Sequence, residues 1–175
     1  MEYYVPDVYQ ESIFKVNYKK LYTTGIRLLL FDLDNTIAPY SRKDVDDQTI
    51  RLFSMLKKNG MTPVLFSNSP KRRVEGFAKK LDIDYVSSAR KPLSKKYLET
   101  MKKYKFKVTE TAIIGDQLLT DIKGGNKVGM ITVLVNPVSN EDPIWTKFAR
   151  MREKSLKSKM RDMGLFKGRF YDEKV

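Results

Sequence analysis

The sequence contains neither cysteine nor histidine. The missing cysteine excludes disulfides, thiolate metal sites and a cysteine nucleophile. The missing histidine excludes the Ser-His-Asp triad, phosphohistidine chemistry and His-ligated zinc. If the chain is an enzyme, its acid–base chemistry therefore depends on carboxylates, Lys or Tyr, and a metal would need oxygen ligands, which favours Mg²⁺.

Long apolar runs are also missing. No stretch approaches the roughly 18–20 apolar residues of a membrane-spanning helix, and the first ten residues lack the basic start and apolar core of a signal peptide. We therefore expect a cytoplasmic protein. The formal charge of +13 attracts phosphate-bearing partners, namely nucleic acid, anionic lipid or phosphorylated metabolites. A contribution to solubility alone explains that charge equally well.

Short apolar runs alternate with helix-length stretches. The runs lie at Ile26–Phe31, Thr62–Phe66, Asp84–Val86, Thr111–Ile114 and Ile131–Val135. All but the third are nearly continuous hydrophobics, as expected of strands buried on both faces. Helices are predicted at Val45–Asn59, Lys71–Leu81 and Ser94–Tyr104. This alternation predicts an α/β fold, a three-layer, doubly wound and mainly parallel sheet. The sequence from Gly124 to Asn126 predicts a tight bend.

Polar side chains follow the ends of the predicted strands. They are Asp32 and Asp34 after the first, Ser67 and Asn68 after the second, Lys91 after the third, and Asp116 after the fourth. Because the carboxyl ends of parallel strands meet at one edge of a sheet, these residues are expected to line one crevice.

The chemistry of these residue types suits phosphoryl transfer. Asp32 and Asp34 are two residues apart on an extended segment and so point the same way, one able to attack and one to handle the proton. Asp116 could complete a Mg²⁺ site. Three further residues could offset charge on a transferring phosphoryl group: Ser67, Asn68 and Lys91.

These motifs together resemble the haloacid dehalogenase-like (HAD) superfamily. "FDLDNT" (Phe31–Thr36) resembles its first motif, "VLFSNS" (Val64–Ser69) its second, Lys91 in "RKP" its third, and "GDQLLTD" (Gly115–Asp121) its fourth. The stretches "GDQLLTDIKGGNKVGMITVLVNP" and "YVPDVYQESIFKVNYKKLYTTGI" further resemble the bacterial YqeG-type phosphatases of HAD subfamily IIIA, a group similar to the mitochondrial phosphatidylglycerophosphate phosphatase.

The resemblance implies a role for each matching position. Asp32 is the nucleophile that becomes an aspartyl-phosphate, and Asp34 is the acid and then the base. Mg²⁺ is held by Asp32, the Asp34 backbone carbonyl and Asp116, with Asp121 as a supporting or further ligand. The remaining roles are phosphate binding by Ser67, Asn68 and Lys91, and support of the loop by Thr36.

The spacing of the motifs predicts that the fold has no cap domain. A helix begins soon after Thr36, and Lys91 lies only 24 residues beyond Ser67, room for one helix and one strand. An open crevice suits large substrates, since a small one would leave the site exposed to water.

The C-terminal segment predicts a basic amphipathic helix. Basic residues recur at intervals of three and four, at Lys147, Arg150, Lys154, Lys157 and Arg161. Such a helix can lie on anionic membrane at the inner face, making the protein peripheral there. In the alternative, its apolar side, with Leu156, Met160 and Met163, packs on the sheet and the basic side is solvated.

We therefore expect a single domain over residues 1–175, with an N-terminal extension at 1–25 and the basic helix and tail at 143–175. The expected function is a Mg²⁺-dependent phosphomonoester hydrolase, with phosphatidylglycerophosphate as a lipid substrate. The alternatives are a phosphatase of nucleic-acid ends or soluble metabolites, and a module that binds nucleic acid or a partner.

Overall fold

The computed structural model describes residues 2–139, 144–166 and 170–172, with the backbone alone for 144–149. Its strands are β1 (Val8–Gln10), β2 (Leu28–Phe31), β3 (Thr62–Phe66), β4 (Asp84–Val86), β5 (Thr111–Gly115), β6 (Ile131–Val135) and β7 (Tyr171–Asp172). Its helices are α1 (Tyr18–Thr23), α2 (Asp47–Lys58), α3 (Lys71–Leu81), α4 (Ser94–Tyr104), α5 (Lys123–Val128) and α6 (Ile144–Asp162). A π-helical turn, Leu118–Ile122, precedes α5.

The strands form one sheet in the order β4-β3-β2-β5-β6-β1-β7. All neighbouring pairs are parallel except β1 and β7, which are antiparallel. From β2 the chain builds outward through β3 and β4, and then returns to place β5 on the other side of β2. The strand order therefore reverses between β2 and β5, and ligands of such sheets bind at that reversal, beyond the carboxyl ends of the strands.

Alternate residues of β2 belong to two different hydrophobic layers. Leu29 and Phe31 pack with the apolar sides of α1, α2 and α3, whereas Leu28 and Leu30 pack with those of α4 and with Ile113 of β5. All four β2 side chains are fully buried. This burial on both faces explains why the strand consists of apolar residues without polar alternation.

The predicted three-layer, doubly wound sheet is confirmed. The five predicted strands and the helices α3 and α4 lie where they were expected, while α2 is slightly shorter than predicted. Two short strands were not predicted, because β1 and β7 have too few residues to show a periodic pattern. The N-terminal segment thus contributes a strand to the sheet.

The fold has no cap domain between its motifs, as predicted. The fully described loop 37–46 contains only part of an isolated bridge between Asp34 and Ala38. Between Ser67 and Lys91, which are also described throughout, the chain forms only α3 and β4. The crevice above β2 and β5 is therefore not covered by an inserted domain.

The orientation of α6 differs from the amphipathic prediction. Glu153 and Met160 are buried, whereas Met163, which we placed on the packed side, is 57% exposed. The Arg150 and Lys157 side chains face the body of the protein and are partly buried. The side chain of Lys147 lies outside the described part of the chain. No helix in the described ranges is long and apolar enough to span a bilayer.

The bend predicted at Gly124–Asn126 is wrong, because these residues lie within α5. A Cβ atom on Gly125 would meet Ile113 Cγ2 at 2.5 Å and Thr132 Cγ2 at 2.6 Å. The glycine is needed so that α5 can approach β5 and β6 closely.

We predict that Gly125→Ala lowers the free energy of unfolding by about 1–3 kcal/mol, because the added methyl overpacks this contact. Gly76→Ala in α3 is the matched control, since a Cβ there meets nothing within 4 Å and alanine favours a helix by about 0.5–1 kcal/mol. Denaturant unfolding of both variants measures the difference. Equal stability of the two would contradict the close approach.

Candidate active site

Asp32 lies at the point where the strand order reverses. Its backbone N–H donates to the Ile114 carbonyl at 2.9 Å, which extends the β2–β5 ladder by one residue beyond β2. The residue is 6% exposed. Asp32 is therefore held rigidly, with its carboxylate at the floor of the crevice.

The Lys91 ammonium joins two carboxylates in the buried floor of the site. Its Nζ lies 2.6 Å from Asp32 Oδ1 and 2.6 Å from Asp121 Oδ1. Burial disfavours the ammonium, but Asp121 and Asp32 outweigh that effect and raise the pKa of Lys91. The lysine thus remains protonated at neutral pH and brings the ends of β2 and the fourth motif together.

Asn68 holds the backbone of Lys91. Its side-chain Nδ2 donates to the Lys91 carbonyl at 3.2 Å, and its Oδ1 accepts from the Lys91 N–H at 2.7 Å. The amide side chain that we predicted to bind phosphate is thus engaged in positioning Lys91. Ser67 is buried beside it, with its Oγ accepting from the Ser69 N–H at 3.1 Å.

Three buried carboxylates come together at the floor of the crevice. One oxygen from each of Asp32, Asp116 and Asp121 lies within 4.8 Å of the others. A Cβ on Gly115 would lie 2.2 Å from Asp121 Cγ, so only glycine allows Asp121 this close to β5. An oxygen-only donor set of this kind suits a hard divalent cation such as Mg²⁺.

The charges of this cluster also fit a cation. Burial raises the pKa of Asp32 to about 7, against the lowering effect of Lys91, and the pKa of Asp116 to about 6, against that of Arg150. Burial likewise raises the pKa of Asp121. With all three ionised, Lys91 and Arg150 leave one negative charge unbalanced, which a bound divalent cation would offset.

Asp34 is oriented by two residues that we did not predict. Arg73 Nε donates to Asp34 Oδ1 at 2.7 Å, and the Ser69 hydroxyl donates to Asp34 Oδ2. The other guanidinium nitrogens donate to the carbonyls of Arg42 and Pro39. Arg73, in the first turn of α3, therefore joins Asp34 to the loop that follows it.

Asp116 is held from two sides. The Thr36 hydroxyl donates to Asp116 Oδ1 at 3.0 Å, whereas support of the loop by Thr36 stays a prediction. On the other side, Arg150 of α6 donates to Asp116 Oδ2 and, at 3.3 Å, to its backbone carbonyl. Glu153, whose pKa burial raises to about 7, accepts from the Leu119 N–H at 3.0 Å.

The structure thus gathers the predicted acids and Lys91 at one place. Arg73, Ser69, Arg150 and Glu153 were missed. Ser69 ends the second motif and Arg73 lies four residues after it, so their nearness in sequence could have identified both as site residues. Nothing in the sequence identifies Arg150 and Glu153 as site residues, because only the packing of α6 brings them near Asp116.

Comparisons with known proteins agree with this geometry. The family model described as HAD-hydrolase-like matches residues 88–141. The Probable phosphatase YqeG of Bacillus subtilis (strain 168) is 33% identical over 93% of this chain and 95% of its own length. Phosphatidylglycerophosphate phosphatase 1, chloroplastic, of Chlamydomonas reinhardtii is 28% identical over 85% of this chain and 59% of its own length.

Solved structures share the fold. A putative 3-deoxy-D-manno-octulosonate 8-phosphate phosphatase from Vibrio cholerae aligns with a TM-score of 0.56 and 19% identity, over 77% of this chain and 78% of its own. The cobalt-bound deoxy-D-mannose-octulosonate 8-phosphate phosphatase YrbI of Haemophilus influenzae has a TM-score of 0.51 and 16% identity, over 82% and 95% of the two chains.

The acid cluster bridged by Lys91 lies where the sheet order reverses, and the Bacillus relative matches nearly the whole chain. The chain therefore belongs to the HAD-like phosphatases, in the family of the YqeG phosphatase.

Proposed function

We propose that this phosphatase is a Mg²⁺-dependent phosphomonoester hydrolase that acts through an aspartyl-phosphate on Asp32, with a lipid phosphate such as phosphatidylglycerophosphate as substrate. The observation that carries the mechanism is the Asp32 carboxylate, held against Lys91 beside two further buried acids. The lipid substrate is supported by the Chlamydomonas relative, a phosphatidylglycerophosphate phosphatase, and by a crevice without an inserted cap.

The metal site consists of Asp32, Asp116 and Asp121. A divalent cation held there would supply positive charge to the phosphoryl oxygens as Asp32 approaches phosphorus. Lys91 adds a second positive charge at the same place and fixes the orientation of Asp32. Ser67, at the end of β3, offers its hydroxyl to the phosphoryl group.

Asp32 attacks phosphorus as the P–O bond to the leaving group breaks, and the leaving oxygen takes a proton from Asp34. Asp34 then takes a proton from water, which attacks the aspartyl-phosphate and restores Asp32. Arg73 and Ser69 hold Asp34 in one rotamer for both proton transfers. The two carboxylates thus divide nucleophilic and proton-transfer work.

Asp32→Asn should abolish phosphate release from phosphatidylglycerophosphate in anionic vesicles, because an amide cannot form the acyl-phosphate. Asp47→Asn, which neutralises an exposed acid in the first turn of α2, is the matched control and should retain wild-type turnover. Phosphate release is measured with p-nitrophenyl phosphate and a 5′-phosphorylated oligonucleotide in parallel.

If Asp32-dependent phosphate release were faster from the oligonucleotide or the small ester than from the lipid, the lipid would be rejected as the preferred substrate. Unchanged phosphate release by Asp32→Asn would contradict the proposed aspartyl-phosphate mechanism.

Mg²⁺ should raise the melting temperature of the wild type, and by more at pH 8 than at pH 5. The raised pKa values of Asp32 and Asp116 mean that protons occupy these carboxyls at pH 5, where they compete with the metal. At pH 8 both carboxyls are ionised and repel each other, so metal binding stabilises the folded protein most at that pH. Calorimetry with EDTA and with Mg²⁺ measures the shift, and an equal shift in Asp116→Asn would contradict the assigned ligands.

Arg73→Gln should lower kcat about 10-fold or more, as part of the 10²–10⁴-fold that general acid–base catalysis contributes, and should change KM much less. Loss of the Nε contact frees Asp34 from its position. Arg72→Gln removes an exposed guanidinium one residue away and is the control. A rise in KM without a fall in kcat for Arg73→Gln would contradict this positioning role.

A further inference from the structure

A cationic groove of 410 Å³ lies between α6 and Pro137. Four basic side chains line it, Arg150, Lys154, Lys157 and Arg161, with Glu153 as its acidic member. Glu153 already accepts a hydrogen bond from the Leu119 N–H and lies 3.7 Å from Arg150. The groove therefore carries excess positive charge.

The groove adjoins the active site. Arg150 belongs to both, because it lines the groove and donates to Asp116. On the opposite wall, Pro137 precedes Val138, whose N–H donates to the Asn35 carbonyl at 2.9 Å. The groove thus begins beside the loop that carries Asp32 and Asp34 and runs outward along α6.

Among the residues that the structure describes, none gives Lys157 an anionic partner at the wall of this groove. Its ammonium lies 5.9 Å from the centre of the Tyr9 ring, and in the described ranges it forms no hydrogen bond or ion pair. Burial lowers the pKa of Lys157, despite the opposing effect of Glu153. A half-buried ammonium without an acceptor is costly unless an anion supplies one.

The spacing along α6 suits an anion close to the reacting phosphate. Arg150 and Lys157 are seven residues apart, which is about 10 Å along a helix axis. Arg150 contacts Asp116, whose carboxylate lies beside that of Asp32, so an anion near Arg150 would lie close to a phosphoryl group at Asp32. A phosphomonoester joined through glycerol to a phosphodiester has this form.

We propose that the groove binds a second phosphate of the substrate, a phosphodiester joined by a glycerol unit to the phosphomonoester that is hydrolysed. This inference rests on the proposed function, and it assigns the residues that would recognise the diester of that substrate. Lys157 and Lys154 then act as specificity-determining residues that contact the diester oxygens.

Binding is tested with the water-soluble headgroup glycerophosphoglycerophosphate, with Mg²⁺ present and in the Asp32→Asn background so that no turnover occurs. Calorimetric titration compares that protein with versions that also carry Lys157→Gln or Lys159→Gln. Lys159 is an exposed lysine of the same helix that does not line the groove. Lys159→Gln therefore makes the same change in net charge without altering the groove. We expect Lys157→Gln to raise Kd about tenfold, as for one lost charge-assisted contact, and Lys159→Gln to leave it unchanged.

Turnover supplies an independent readout. The ratio of kcat/KM for the headgroup to kcat/KM for p-nitrophenyl phosphate should fall about tenfold in Lys157→Gln. Lys154→Gln should lower the same ratio, and it replaces Lys157→Gln if circular dichroism shows that variant unfolded.

Equal Kd values for all three proteins, or an equal loss in Lys159→Gln, would overturn the groove assignment. So would a Lys157 effect that appears only on anionic vesicles and not with the soluble headgroup, because general attraction to the surface would then explain it. Failure of the wild type to hydrolyse the lipid or its headgroup would instead refute the proposed function, while the Kd comparison would still decide the groove.

Discussion

The buried contact of Lys91 with Asp32 and Asp121 is the constraint on which the rest of the site depends. The ammonium of Lys91, which follows β4, lies 2.6 Å from Asp32, one residue beyond β2, and 2.6 Å from Asp121, in the turn after β5. Such an arrangement survives burial only when each charge has a partner. Gly115 leaves space for Asp121, and Asn68 holds the backbone of Lys91 by hydrogen bonds. Both residues thus help to position the Lys91–Asp121 ion pair.

The second constraint comes from α6. Arg150 brings a guanidinium to Asp116, so that the acid cluster is balanced partly by a helix remote in sequence from the motifs. The pattern of basic residues on α6 predicted a stripe facing solvent or membrane, and contact with a membrane stays a prediction. The structure instead turns Arg150 inward, where it pairs with the buried Asp116, and Lys157 lies half-buried beside the Tyr9 ring.

Arg73 shows how the orientation of a motif carboxylate can depend on a residue outside the motifs. It reaches Asp34 from the first turn of α3 and also binds the carbonyls of Arg42 and Pro39. One side chain thus couples the orientation of the Asp34 carboxylate to the position of the loop beside it. In a fold without a cap, this loop and α6 are what border the crevice.

The sequence by itself determined the order of the longer strands and helices and the absence of a cap, because buried parallel strands need unbroken apolar runs. It also placed Asp32, Asp34, Lys91 and Asp116 at one edge of the sheet, because ligands of such sheets bind beyond the carboxyl ends of the strands. Sequence reasoning could not find β1 and β7, which are too short to carry a period. Nor could it tell that Asn68 clamps Lys91, or that Arg73 and Arg150 reach the acids. Those contacts join residues 23 to 39 positions apart, so only tertiary packing, which sets the direction of each side chain, decided them.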